Sequence, residues 1–187
     1  MERIDAELVR LARQGDRGAF QELVERYQRK IYVVLLGMLR EHDAAWEASQ
    51  ETFVKALRSL DRFKGEASFY TWLYRIAVNV AIDHQRRAAR RPLVGVAETT
   101  VEAQASLQED LRKHDPFRRV RDREIGERVR AAIEQLTPEH RAAILLREVE
   151  GLSYEEISRV MECAKGTVMS RLHYARKKLQ TLLKDLL

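Results

Sequence analysis

The sequence contains a single cysteine, Cys163. One thiol cannot form an intramolecular disulfide and cannot supply the cysteine cluster of a structural zinc site. The five histidines are scattered and do not recur with carboxylates at metal-ligand spacing, and neither a glycine-rich phosphate loop nor a nucleophile motif is present. A small helical enzyme or metal protein is therefore poorly supported. We expect no catalytic residue, no metal, no cofactor and no small-molecule substrate.

Long apolar runs are also missing. No run approaches the roughly 20 residues of a membrane span, and the first residues alternate charge with apolar side chains where a signal peptide would have an apolar stretch. This pattern predicts a cytoplasmic protein without membrane insertion.

Glycine and proline are scarce, at 8 and 3 residues, and apolar residues recur at helical intervals, which favours an all-α protein. Apolar residues make up 45% of the chain and charged residues 34%, so the apolar side chains must be segregated onto helix faces. The net charge of +5 is compatible with a polyanionic partner but does not require one.

The helical periodicity divides the chain into two small helical domains. The first, residues 1–91, begins with a helical hairpin whose turn contains Gly15 and the capping residue Asp16, followed by helices from about Asp43 to Leu60 and from about Ser68 to Arg87. Residues 92–122 contain Pro92 and an acidic polar stretch, which predicts a flexible linker that lets the domains be positioned independently. Periodicity returns in residues 123–187, the second domain, where Thr137 and Pro138 begin a helix that should run through Val149.

The clearest local signal lies in the second domain. Ser153 and Glu156 have the spacing of a capping box, and Leu152 and Ile157 that of a hydrophobic staple, so a helix should begin here and end near Met161. A longer helix follows, with one apolar face formed by Val168, Leu172, Ala175 and Leu179. A short helix, a tight turn and a longer helix are typical of the helix-turn-helix, whose second helix can enter the DNA major groove.

The outward face of that second helix carries polar and basic side chains suited to base edges and phosphates. They are Lys165, Thr167, Ser170, Arg171, His173, Tyr174, Arg176 and Lys177. The alternative is a solvated amphipathic helix that ends a bundle, but the preceding capped helix and tight turn favour DNA binding.

A second stripe runs along the last helix of the first domain. Trp72, Arg75, Asn79 and Arg86 recur at helical spacing, and Arg87, Arg90 and Arg91 extend the stripe with positive charge suited to phosphates. Structural alternatives exist for each: Trp72 can be core, Asn79 a polar boundary residue, and the arginines a solvated helix end.

An ordered set of motifs resembles the extracytoplasmic-function sigma factors, in particular their sigma-E subgroup. The motifs are Leu11-Ala12-Arg13-Gln14-Gly15-Asp16 with Ala19-Phe20, Gln50-Glu51-Thr52-Phe53, Arg62-Phe63-Lys64-Gly65, the stretch from Phe69 to Asn79, Gly151-Leu152-Ser153-Tyr154-Glu155-Glu156-Ile157, and Gly166-Thr167-Val168. They span nearly the whole chain apart from the linker.

The resemblance implies a protein without enzymatic activity that directs core RNA polymerase to promoters. In that family the first domain (region 2) binds the polymerase beta-prime clamp and captures the melted minus-ten element, and the last domain (region 4) binds the beta flap and the minus-thirty-five element. Carried onto this chain, Glu47, Gln50, Glu51 and Phe53 would face the polymerase, and Phe63 and Asn79 would shape the pocket for a flipped-out minus-ten base. The resemblance also implies stress-responsive transcription, an anti-sigma factor as partner, and association with the nucleoid when active.

The chain departs from the family pattern at several positions. Glu162 stands in the turn where glycine is usual, and Ala164-Lys165 replaces a common Pro-Val pair. Met169 and Tyr174 occupy recognition-helix positions where the sigma-E subgroup often has arginine, so the minus-thirty-five preference is expected to be relaxed or changed.

A stand-alone helix-turn-helix regulator is the main alternative function, with the first domain acting as a sensor or dimerisation module. Such a protein would bind a palindromic operator without polymerase, as a dimer with half-sites about one helical turn apart. A sigma factor would use promoter DNA productively only together with core polymerase.

Overall fold

The computed structural model describes residues 3–90 and 123–186, and both described ranges are helical with no strand. The first range contains α1 (Asp5–Arg13), α2 (Arg17–Leu39), α3 (His42–Ser59), a 3-10 turn (Leu60–Arg62) and α4 (Phe69–Arg90). The second contains α5 (Arg123–Glu134), α6 (Pro138–Ile144), a π-helical turn (Leu145–Val149), α7 (Tyr154–Val160), α8 (Lys165–Leu182) and a final 3-10 turn (Lys184–Leu186). The prediction of an all-α fold with two helical units is confirmed.

The N-terminal unit is a bundle of α1 to α4 around a core that contains several aromatic rings. Asp16 caps α2 by accepting a hydrogen bond from the backbone amide of Ala19 at 3.1 Å, and Gly15 takes the positive φ of +92° that the turn requires. Phe69 packs between Tyr27 and Trp72, with ring centroids 5.8 and 5.7 Å away. This cluster fixes the start of α4 against α2.

The C-terminal unit is built from short, well-capped helices. Thr137 caps α6, and Ser153 caps α7 in a complete capping box with Glu156, as the sequence predicted. Val168, Leu172 and Ala175 bury the inner face of α8. The short α7 and the long α8, joined by the turn at Met161–Ala164, form the predicted helix-turn-helix.

Three helix boundaries differ from the sequence prediction. Helix α3 ends at Ser59 and tightens into the 3-10 turn, and α4 continues three residues beyond the predicted end at Arg87. The helix predicted from Pro138 to Val149 changes to π-helical geometry at Leu145. There the amide of Glu150 donates to the carbonyl of Leu145 at 3.3 Å, just before Gly151 leaves the helix with a φ of +71°.

The two units pack against each other in this structure, through contacts that the sequence did not predict. The guanidinium of Arg141, only 2% exposed, donates to the carbonyl of Met38 at the end of α2 at 2.8 Å and to that of Ile133 at 3.1 Å. Leu145 lies so close to Gly37 that a Cβ there would approach it to 2.8 Å. The Arg141–Met38 and Gly37–Leu145 contacts join residues about a hundred positions apart, which helical periodicity cannot reveal. The predicted linker, residues 92–122, and Arg91 lie outside the described residues.

Within residues 3–90 and 123–186, two residues other than glycine have a positive φ, and both contact the other unit. Arg40, at +74°, ends α2 and lies 3.9 Å from the carboxylate of Glu134. Glu162, at +48°, lies in the helix-turn-helix turn and pairs with Arg75 of α4 at 3.4 Å. The turn thus keeps the left-handed conformation that glycine usually supplies, with a glutamate in its place.

None of the helices within the described ranges is long and apolar enough to cross a membrane.

Candidate nucleic-acid and polymerase interface

A pocket of about 600 Å³ opens at the end of the N-terminal unit where α3 and α4 meet. Three of the predicted minus-ten residues, Phe63, Trp72 and Arg75, line it. Phe63 lies on the segment between the helices and its ring is 5.1 Å from that of Trp72. Because an aromatic surface and a guanidinium border one opening, the pocket can stack a base and bond its edge or a neighbouring phosphate.

Trp72 is both a core residue and part of the pocket, the two roles that the sequence left open. Its side chain is only 9% exposed and packs within the aromatic core, yet it borders the pocket. It therefore forms the floor of the pocket as part of the core.

The other predicted minus-ten residues lie further along α4. Asn79 is exposed one turn beyond Arg75, outside the pocket lining, and Arg86 and Arg87 are exposed near the end of the helix. The structure therefore places a pocket and a basic helix end on the same element but does not bring Asn79 into the pocket.

The predicted polymerase residues lie on α3 with unequal exposure. Glu47 and Gln50 are exposed, and Glu51 is half-buried between Lys55 Nζ at 2.7 Å and His84 Nε2 at 2.9 Å. Burial raises the pKa of Glu51, but the hydrogen bonds from Lys55 and His84 outweigh it, so the pKa falls below its ordinary value. Glu51 is thus held as a carboxylate.

Phe53 does not face outward as the family pattern implied. Its side chain is 8% exposed because position 53 shares the inward stripe of α3 with Ser49, Thr52 and Ala56. Sequence reasoning missed Val54 and Leu57, which are 47% and 52% exposed. The signal was available: Glu47, Gln50, Val54 and Leu57 follow at helical spacing on one outward face.

On α8 most of the predicted minus-thirty-five residues are exposed. The exposed ones are Lys165, Ser170, His173, Tyr174, Arg176 and Lys177, and Thr167 is half-buried. Arg171 is also half-buried and turns its guanidinium toward the turn, 3.5 Å from the Sγ of Cys163. Arg176 pairs with Glu148 at 2.7 Å. The face that remains outward is polar and basic, with Met169 and Tyr174 as exposed apolar surface of 53% and 61%.

The C-terminal unit lies over the edge of the pocket. Arg159 of α7 is among the residues that line it, and Glu162 pairs with Arg75. One of the predicted DNA contacts is therefore occupied by the other unit in this arrangement.

A metal site would need a group of histidine, cysteine or acidic side chains. Within residues 3–90 and 123–186 no cluster of three or more such residues is present.

Comparison with known proteins agrees with this geometry. The family described as Sigma-70 region 2 matches residues 23–91, and the family described as Sigma-70, region 4 matches residues 126–179. The chain is 40% identical to the RNA polymerase sigma-H factor of Pseudomonas aeruginosa, over 98% of this chain and 95% of that protein. It is 38% identical to the ECF RNA polymerase sigma-E factor of Escherichia coli K12, over 98% and 96% of the two chains.

Two solved structures resemble the whole arrangement. One is CnrH in complex with the cytosolic domain of CnrY, at a TM-score of 0.68 and 25% identity, covering 97% of each chain. The other is the sigma factor RpoE in complex with the anti-sigma factor NepR from Bartonella quintana, at a TM-score of 0.64 and 25% identity, covering 88% of this chain and 96% of that one. The pocket, the helix-turn-helix and these likenesses over nearly the full length lead to one conclusion: the chain belongs to the extracytoplasmic-function sigma factors of the sigma-70 family.

Proposed function

We propose that this protein is an alternative sigma factor that binds core RNA polymerase and directs initiation at promoters with minus-ten and minus-thirty-five elements. The observation that carries the proposal is the pairing of two sites in one chain, the aromatic pocket bordered by Phe63, Trp72 and Arg75 and the exposed face of α8. The protein does no chemistry of its own, because capture of bases as they leave the duplex is enough to stabilise an open promoter.

In the N-terminal unit, Phe63 and Trp72 form the apolar wall for an unstacked minus-ten base, and Arg75 and Asn79 bond the strand beyond it. Arg86 and Arg87, exposed further along α4, contact phosphates. In the C-terminal unit, α8 enters the major groove at the minus-thirty-five element. Thr167, Ser170, His173 and Tyr174 face base edges, while Lys165, Arg171, Arg176 and Lys177 supply positive charge along the backbone.

The polymerase contact is the outward face of α3. Glu47, Gln50 and Glu51 supply polar contacts, and the exposed apolar side chains of Val54 and Leu57 supply the buried centre of the interface. Phe53 acts indirectly: its buried side chain fixes α3 on the core and so positions the polymerase contact. We assign this face to the beta-prime clamp and the C-terminal unit to the beta flap.

The two units must separate for both DNA elements to be bound at once. Elements about 25 base pairs apart, as their names imply, are roughly 85 Å apart on B-form DNA at 3.4 Å per base pair. A compact chain of this length has a radius of gyration of only about 16 Å. The 32 residues at positions 91–122 can span about 110 Å when fully extended, so the connection is long enough. The Arg75–Glu162 and Arg141–Met38 contacts would then break.

An anti-sigma factor is a further partner on this reading. The relative RpoE was solved with the anti-sigma factor NepR, and its fold matches this chain at a TM-score of 0.64. We propose that such a partner holds this protein inactive until a stress signal releases it. The protein then works in the cytoplasm, on the nucleoid when active, with residues 1–91 as region 2, 92–122 as linker and 123–187 as region 4.

In vitro transcription on a pool of genomic fragments tests the proposal. Core polymerase alone is compared with core plus this protein, and transcript starts are mapped. New starts that share two upstream elements, and that are lost on Asn79→Ala, are expected. If no core-dependent start appears while the protein alone protects a palindromic site, the stand-alone regulator is the correct function.

A further inference from the structure

We propose that Arg13 is a positioning residue for minus-ten recognition: it fixes the backbone segment that presents Phe63 to the pocket. The inference rests on the function proposed above. It concerns a residue of α1, outside the pocket lining and 50 positions away from Phe63 in sequence.

The guanidinium of Arg13 is bonded to three backbone carbonyls in that segment. Its Nε donates to the carbonyl oxygen of Leu60 at 3.0 Å, and its Nη2 donates to that of Asp61 at 3.4 Å. The same Nη2 also donates to the carbonyl oxygen of Phe63. Arg13 thus spans the whole 3-10 turn and the first residue after it.

The carbonyls that Arg13 bonds lie at the end of α3 and just after it. The last carbonyls of a helix have no partner within the helix, and a cation at that end is favoured by the helix dipole. Hydrogen bonds from a charged donor are about twice as strong as neutral ones. Arg13 therefore holds the end of α3 in one conformation, with the amide of Phe63 bonded back to Leu60 at 3.1 Å.

The position of the Phe63 ring depends on this backbone. Phe63 lies between the end of α3 and the start of α4 at Phe69, in a connection that includes Gly65 with a φ of +75°. Lys64, Gly65 and Glu66 of the same connection also line the pocket. On one side the ring is held by Trp72 at 5.1 Å and Phe69 at 6.0 Å. On the other side, the hydrogen bonds from Arg13 fix the backbone that carries the ring.

Arg10 is a matched control on the same helix. It is exposed and carries the same charge, and among the described residues its guanidinium bonds the side chain of Gln14, at 3.5 Å. Arg10→Gln removes one charge from α1 without touching the segment that carries Phe63. Arg13→Lys keeps the charge but loses the planar, multiple donors that three carbonyls require.

The experiment is transcription by core polymerase plus the full chain on two promoter libraries, one randomised in the minus-ten element and one in the minus-thirty-five element. We expect Arg13→Gln to lower base discrimination at one minus-ten position about tenfold, within the range that one base pair carries. Arg13→Lys should give a smaller loss of the same kind. Minus-thirty-five preference should stay at the wild-type level in both, and Arg10→Gln should match wild type on both libraries.

A double-mutant cycle with Phe63→Ala shows whether Arg13 acts through that ring. If it does, Arg13→Gln has no further effect on minus-ten discrimination in the Phe63→Ala background. Wild-type discrimination in Arg13→Gln, or an equal loss on both libraries, would overturn the inference, the second result indicating a general role in folding. Failure of the wild-type chain to initiate at all would instead overturn the proposed function, and the inference with it.

Discussion

The two units of this protein present their DNA-facing side chains in different ways. The N-terminal unit assembles a pocket from α4, the connection before it and the aromatic core, while the C-terminal unit exposes one face of a single helix, α8. The first arrangement depends on contacts between segments far apart in the chain. The second depends on local signals, a capped α7 and a tight turn. The difference teaches that a recognition helix can be set by local sequence, whereas a base pocket needs the whole bundle.

The largest expected effect tests whether the C-terminal unit depends on a buried arginine as well as on its helix caps. Arg141 is buried and donates to the carbonyls of Met38, Ile133, Glu134 and Leu136. Arg141→Met would remove all of these hydrogen bonds, although Gln85 still donates to Met38 and the Leu136 amide to Ile133. We expect the free energy of unfolding to fall by about 3 to 5 kcal/mol. Denaturant unfolding measures the total loss, and hydrogen exchange should show it concentrated in α5 and α6.

Arg128→Met is the control for that change. Arg128 is 39% exposed and pairs with Asp185, which is 79% exposed, so its loss should cost less than about 0.5 kcal/mol. Equal effects of the two substitutions would mean that Arg141 is no more important than a surface arginine, and that the C-terminal unit is stabilised by its local caps alone.

The second prediction separates the two DNA sites by function. Phe63→Ala should weaken capture of the minus-ten base by about 1 to 3 kcal/mol through lost stacking. Selectivity at that element should fall as well, because the pocket loses one wall. His173→Ala should reduce selectivity at the minus-thirty-five element by a similar amount. Each variant should leave the other element's preference unchanged when transcription is measured on libraries randomised at one element. A change in minus-ten preference on His173→Ala would show that the two sites are coupled and would contradict the division.

Particular residues show how much of this could be predicted from sequence. The capping box of Ser153 and Glu156, the buried face of Val168, Leu172 and Ala175, and the hairpin capped by Asp16 were all predicted, because each is a signal within a few residues. The all-α fold and the turn at Glu162 followed from the same local patterns.

The contacts that escaped prediction are long-range or depend on which face of a helix is covered. Phe53 was placed on the polymerase face by family pattern, yet helical spacing puts it inward, and Val54 and Leu57 are the exposed apolar residues. Arg13 and Arg141 bond backbone carbonyls far away in the chain, and no pattern within a few residues predicts these bonds. The packing of one unit on the other is likewise not predicted by local sequence. The roles of individual site residues stay predictions.

The third prediction concerns the two left-handed residues, one in each unit. A side chain other than glycine in this conformation costs on the order of 1 kcal/mol. Glu162→Gly should therefore exceed Glu162→Ala in free energy of unfolding by about 1 kcal/mol, and Arg40→Gly should exceed Arg40→Ala by a similar amount. Comparing glycine with alanine cancels the lost contacts to Arg75 and Glu134. Thermal or urea unfolding measures the free energy of unfolding of all four variants. If the alanine and glycine variants are equally stable at either position, the backbone there is not strained.

The smallest expected effect tests the local cap on which the C-terminal unit depends. Hydrogen bonds from the Ser153 hydroxyl at 2.7 Å and its backbone amide at 2.8 Å hold the pKa of Glu156 below its ordinary value. A lowered native pKa means that the stabilisation is complete above the unfolded value of about 4.3 and is lost as pH falls through the native value. Glu156→Gln should thus cost about 0.5 kcal/mol at pH 7, and the difference from wild type should vanish in acid. Glu155→Gln, in the same turn but outside the capping box, is the control, and it should cost less than Glu156→Gln at pH 7 because its exposed carboxylate has only loose pairs with Arg159 and Lys165, each at 3.9 Å. A pH-independent difference for Glu156→Gln would mean that the charge of the cap contributes nothing, and that backbone geometry alone starts α7.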